Sequence, residues 1–102
     1  MGLSVVLETE SGEEVERVDD PGNVLHRLLP GADDRSFSLL RFIDWYGDTV
    51  FNQLQMESFR SEWERLDKNG ESLEEKALLD RVDELARRSQ QEPHLYLKFY
   101  GD

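Results

Sequence analysis

Hydrophobic and polar positions recur along this chain with two different periods, and each change of period marks an element. In LSVVLET, residues 3–9, Leu3, Val5 and Leu7 share one side of an extended strand. Ser11-Gly12 is a turn signal, after which Glu13 to Val18 can pair back as a second strand. Val15 and Val18 lie three apart and so fall on opposite faces of a regular strand, which leaves this one weakly specified. Val24, Leu25, Leu28 and Leu29 then recur at helical spacing. Asp20 and Pro21 suit the N-cap and first position of that helix, and Pro30-Gly31 stops it. Met56, Phe59, Trp63 and Leu66 form one face of a helix of about three turns, closed by Asn69-Gly70. Ser72 to Glu75 reads as a capping box for a further helix that buries Leu78, Leu79, Val82, Leu85 and Ala86 and runs to about Gln90. The short loop between these two helices makes them an antiparallel pair. Exposed charge pairs are expected at Glu64–Lys68, Asp83–Arg87 and Glu84–Arg88. Pro93 ends the helix. Residues 94–100 alternate cleanly, with Leu95, Leu97 and Phe99 on one side and His94, Tyr96, Lys98 and Tyr100 on the other.

The stretch 37–66 holds seven of the ten aromatic residues, and the other elements need it to pack on. Two readings compete for its middle. Gly47-Asp48 suits a two-residue hairpin turn between strands Leu39–Tyr46 and Thr49–Gln55. Alternatively, Asp48 is an N-cap and one helix runs from Thr49 to Leu66. The β-branched and aromatic residues on both sides of the turn favour the hairpin. It would pair Tyr46 with Thr49 and Trp45 with Val50. Leu39, Ile43, Trp45, Val50 and Leu54 would then face the core. The opposite face would carry Leu40, Phe42, Asp44, Tyr46, Thr49, Phe51 and Gln53, the mixture of rings and hydrogen-bonding groups found at binding surfaces and equally on a sheet half-covered by a helix. The expected fold is α+β: a single domain over residues 1–102, with an antiparallel-rich sheet packed on one face by helices in the order ββαββααβ.

A chain of 102 residues can bury roughly two thirds of its unfolded surface without metal or disulfide help. The absence of cysteine excludes disulfides, thiol nucleophiles and thiolate metal sites. No apolar run approaches the roughly eighteen residues of a membrane span, and the N-terminus lacks a basic region followed by an apolar core, so a soluble cytoplasmic protein is expected. Charge changes the picture more. Twelve Lys and Arg stand against 23 Asp and Glu, a formal net of -11. Such a chain repels nucleic-acid phosphate and, lacking a basic stripe, is not expected to bind DNA or RNA directly; it would steer a basic protein instead. Glu8, Glu10, Glu13, Glu14, Glu16, Asp19 and Asp20 crowd the first twenty residues against Arg17 alone. Unpaired acids there should point into water and blunt an edge strand.

Candidate chemistry is sparse. No His-x-x-x-His, His-Glu-x-x-His or EF-hand pattern marks a metal site, and no cofactor motif is present. Ser36, Ser38, Ser58 and Ser61 lack a nucleophile-elbow context, and Gly22, Gly31, Gly47 and Gly70 stand too far apart to cradle phosphate. Asp44 and Asp48 flank the aromatic turn, but Asp48 is readily explained as a turn residue. IDWYGDTVFNQLQ, SEWERL and EPHLYLKFYGD together resemble a group of small bacterial proteins of about this length for which no activity is established. Where that group usually carries a proline after the aspartate of the Ile-Asp pair, this chain carries Trp45. The resemblance implies a bacterial cytoplasmic origin and no mechanism.

These observations lead to a non-catalytic protein-binding module, monomer or homodimer, as the expected function. Phe42, Asp44, Tyr46, Thr49, Gln53 and Tyr96 are its candidate binding residues, with Glu13, Glu14 and Glu16 as steering acids. An immunity- or antitoxin-like inhibitor of a basic nuclease is one specific form. A small enzyme using Asp44 with a histidine, His94 in particular, is the alternative from another class. A self-associating structural protein, closed through an edge strand or the aromatic face, is the third.

Overall fold

A computed structural model describes residues 2–66 and 72–101. Strands β1 (Ser4–Thr9) and β2 (Glu14–Asp19) form the opening hairpin, and a short helix α1 (Val24–Leu28) follows. After a long irregular segment come β3 (Asp48–Phe51), the helices α2 (Met56–Glu64) and α3 (Leu73–Gln91), and the closing strand β4 (Leu95–Tyr100). The sheet is antiparallel throughout, in the order β2-β1-β4-β3. The α+β class and the succession of elements are those expected, with one local exception in the centre. No helix among the described residues is long and apolar enough to cross a membrane.

That exception is the hairpin. Residues Leu39–Tyr46 do not form a strand: Leu40–Phe42 is a single 3-10 turn, and Leu39 has right-handed helical geometry. The cause lies in α2. Glu62 is buried, and its carboxylate accepts the amide hydrogens of Ser38, Leu39 and Leu40 at 3.0–3.1 Å. Amides held by a carboxylate cannot join a ladder. Gly47, moreover, lacks the positive φ that the expected turn requires. The rival helix from Thr49 is not formed either. Extended residues 48–51 give way to a 3-10 turn at Gln53–Gln55, capped reciprocally by Asn52 and Gln55, before α2 begins.

β3 takes its register from β4, with Thr49 opposite Phe99 and Phe51 opposite Leu97. Opposed residues share a face, so Thr49 and Phe51 point inward and Val50 outward, the reverse of the expected hairpin faces. Leu40, Ile43 and Phe51 are buried, whereas Val50 and Leu54 are exposed.

Helices α2 and α3 cover the inner face of the sheet. Phe51, Phe59, Trp63 and Phe99 meet there with ring centroids 5.2–6.3 Å apart, and the Trp63 indole N–H donates to the Leu79 carbonyl at 2.9 Å. The expected helix faces are present: Met56, Phe59, Trp63 and Leu66 are buried, as are Leu78, Leu79, Val82, Leu85 and Ala86. Ser72 and Glu75 form the capping box of α3. At α1, the Asp20 carboxylate accepts the Val24 and Leu25 amides at 2.9 and 2.7 Å, but from four and five residues upstream; Asn23, at φ 55°, occupies the cap position. The expected helix-surface ion pairs differ. Asp83 binds Arg60 of α2, Arg87 pairs with Glu84, and Arg88 with Glu92 and with Glu16 of β2. Lys68, Asn69 and Gly70, assigned above to a pair and a cap, lie outside the described residues.

Candidate binding surface

The second face of the sheet carries no helix. Across it run the rows Asp19–Ser4–Tyr100–Asp48 and Arg17–Val6–Lys98–Val50, with Glu14, Glu8 and Tyr96 beyond. Val6 is nevertheless buried. Tyr100 stands beside Ser4, yet its hydroxyl donates to the Glu8 carboxylate, so its ring must lie over Val6 between them. Lys98 adds an ion pair to Glu8 at 2.9 Å. Burial opposes the charge on Glu8, but the hydrogen bonds from Tyr100 and Lys98 outweigh it and hold the carboxyl below its usual range. The same bonds push Lys98 and Tyr100 up, Tyr100 with added help from burial. This cluster therefore tiles the open face with satisfied polar groups.

The margin beyond β3 is different. Tyr46 is 81% exposed, Val50 51% and Leu54 90%; Val50 lies within β3, Tyr46 in the turn before it and Leu54 in the 3-10 turn after it. Phe42, 60% exposed, ends the 3-10 turn Leu40–Phe42, with the Arg41 guanidinium over its ring at 4.3 Å. Two open depressions lie alongside. One, of about 390 Å³, is lined by Val50, Tyr96, Lys98, Thr9 and Glu10; the other, of about 360 Å³, shares Glu10 and Tyr96 and reaches Leu54 and His94. A third, between α2 and α3, contains Arg60, whose guanidinium is engaged by Asp83 and Gln90 at 3.0–3.2 Å.

The residues singled out from the sequence thus separate. Phe42 and Tyr46 are exposed apolar surface. Tyr96 joins Val50 in the depression on the open face. Asp44, Thr49 and Gln53 serve the local architecture: the Asp44 carboxylate accepts the Tyr46 amide at 2.9 Å, Thr49 Oγ1 accepts the Asp44 amide at 2.9 Å, and Gln53 Nε2 donates to the Gln90 carbonyl at 3.0 Å. Val50 and Leu54, expected in the core, belong to the surface instead. One signal for Val50 was available: pairing with the alternating strand 94–100 turns Phe51 inward and Val50 outward.

The acidic hairpin is less bare than its sequence suggests. Glu14 and Asp19 flank Arg17, Glu16 binds Arg88, Glu10 contacts His94, and Asp20 accepts the first two amides of α1. Glu13 makes no side-chain bond to a described residue. His94 and Asp44 are not brought together: His94 precedes β4, whereas Asp44 lies against Gly101 beyond its other end, roughly 20 Å of strand away. The other histidine, His26, stacks edge-on against Trp45 with centroids 4.6 Å apart. Among the described residues no group of three or more His, Asp or Glu could hold a metal ion. No family model, curated protein or solved structure matches the chain.

Proposed function

We propose that this chain is a non-catalytic protein-binding module whose partners are basic proteins. The observation that carries the reading is the exposure of Tyr46, Val50 and Leu54, within β3 and in the turns on either side of it, on a chain whose net charge is -11. Apolar and aromatic anchors supply the short-range part of an interface. Long-range charge supplies the encounter: a strongly acidic molecule captures cationic partners fast and rejects acidic ones. The resemblance of the central and C-terminal motifs to small bacterial proteins supports a bacterial cytoplasmic setting. A basic nuclease held by an inhibitor of immunity or antitoxin type is one concrete instance of such a pair.

The immobilised chain, exposed to lysate of its source at low and at raised salt, tests this directly. A basic protein retained at low salt and released at raised salt, identified by mass spectrometry, supports the reading and names the partner. Retention of nothing, or of acidic proteins alone, contradicts it.

A further inference from the structure

The free edge of β3 has a definite hydrogen-bonding phase. Gly101 N–H donates to the Gly47 carbonyl at 2.8 Å, extending the β3–β4 ladder by one pair. Bonded and non-bonded pairs alternate in an antiparallel ladder, so Thr49 and Phe51 turn their main-chain groups to β4. Asp48 and Val50 turn theirs away from it. Among the described residues no hydrogen bond outside the ladder reaches those two N–H and two C=O groups. The opposite edge of the sheet is treated differently. β2 has a bulge opposite Leu7/Glu8, and Arg17 is clasped between Glu14 and Asp19, devices that blunt an edge against pairing. β3 has no bulge, and Val50 is exposed in its middle.

We propose that the β3 edge takes up an extended segment of a basic protein as a fifth strand, an inference that rests on the reading of the chain as a binder of basic proteins. Main-chain groups of Asp48 and Val50 would supply the register and their side chains the selection. Both side chains lie on the open face two residues apart, so the added strand sets a Lys or Arg opposite Asp48 and an apolar residue opposite Val50, with one residue between. Charge decides against a second copy as the occupant. Each copy carries -11, so bringing two copies edge to edge sets like net charges against each other, whereas a basic segment is attracted.

The test follows amide exchange and chemical shifts by NMR at low salt, with a short peptide in which Lys and Val occupy alternate odd positions and Thr the even ones. A peptide with Glu in place of Lys is the control. The Lys peptide should protect the Asp48 and Val50 amides, which exchange faster than those of Thr49 and Phe51 in the free protein, and the Glu peptide should not. Val50→Pro removes an outward N–H that no ladder bond uses, and should weaken binding roughly tenfold with the thermal midpoint unchanged. Asp48→Lys, which keeps every main-chain donor, should weaken it too. Protection of other amides by the Lys peptide, or full binding by both variants, overturns the strand-addition proposal while leaving a basic-partner surface elsewhere. Failure of the peptide to bind, with basic proteins still retained from lysate, overturns the proposal alone; failure of both overturns the functional reading as well. Concentration-dependent dimers that protect Asp48 and Val50 without peptide would assign the edge to a second copy and also overturn it.

Discussion

Glu62 shows how much a single side chain decides here. Three residues after Phe59 and four before Leu66, it flanks the apolar face of α2, and its carboxylate binds three main-chain amides and so determines that residues 38–42 turn instead of pairing. No period in the sequence reveals this, because the partners are amides 22–24 residues away rather than side chains. Glu62→Ala should cost about 3 kcal/mol in urea unfolding, since buried donors are left unmet, and Glu62→Gln about half as much. A loss below roughly 1 kcal/mol would remove the cap from the account. The Glu8 cluster makes a second prediction. Glu8 titrates below its usual range, so its contribution is present above the ordinary carboxylate pKa and is lost as pH falls through the folded value. Lys98 and Tyr100 titrate above their usual values, so theirs is present below the ordinary pKa values of 10.5 and 10.0 and is lost as pH rises through the folded ones. Melting curves of the wild type and Tyr100→Phe against pH check this: the variant should be less stable at neutral pH, and its profile flatter at both extremes.

At the scale of elements, local signals that meet local partners were legible. The capping box at Ser72, the alternation of β4 and the apolar stripes of α2 and α3 all lie where their own residues place them. The central segment was not legible, because a glycine-aspartate pair between aromatic runs favours a hairpin only when the first run is free to pair. Here Asp44 builds the turn instead, binding the Tyr46 amide, and the Asp44–Trp45 backbone crosses the end of β4. Gly101 permits that crossing: a Cβ there would sit 2.2 Å from the Trp45 carbonyl oxygen. Gly101→Ala should therefore destabilise the fold by about 2 kcal/mol or more, whereas Gly22→Ala, whose Cβ would meet its nearest neighbour at 3.6 Å, should change little. Equal melting temperatures for the two variants would contradict the crossing. The inverted faces of the expected hairpin have the same origin. Once β4 rather than residues 39–46 pairs with β3, parity sends Val50 outward, and with it most of the candidate binding surface is redrawn.

The molecule as a whole is a two-layer sandwich of sheet and helices, a class that composition and element order suffice to suggest. What neither could supply is the contrast between its exposed parts: an open face tiled by Glu8, Lys98 and Tyr100, and a margin at β3 where Tyr46, Val50 and Leu54 stand uncovered. Acidity and that margin together make the case for a basic partner, and they predict different behaviour. Anchors should govern how long a complex lasts, so Tyr46→Ala and Leu54→Ala should speed dissociation while leaving stability nearly unchanged. Charge should govern how fast it forms. The most direct measurement is the association rate with the retained basic protein as ionic strength rises from about 0.01 to 0.15 M, over which the screening length shrinks from about 30 to about 8 Å. The account predicts a fall of at least roughly tenfold. A rate that does not change with salt would contradict it.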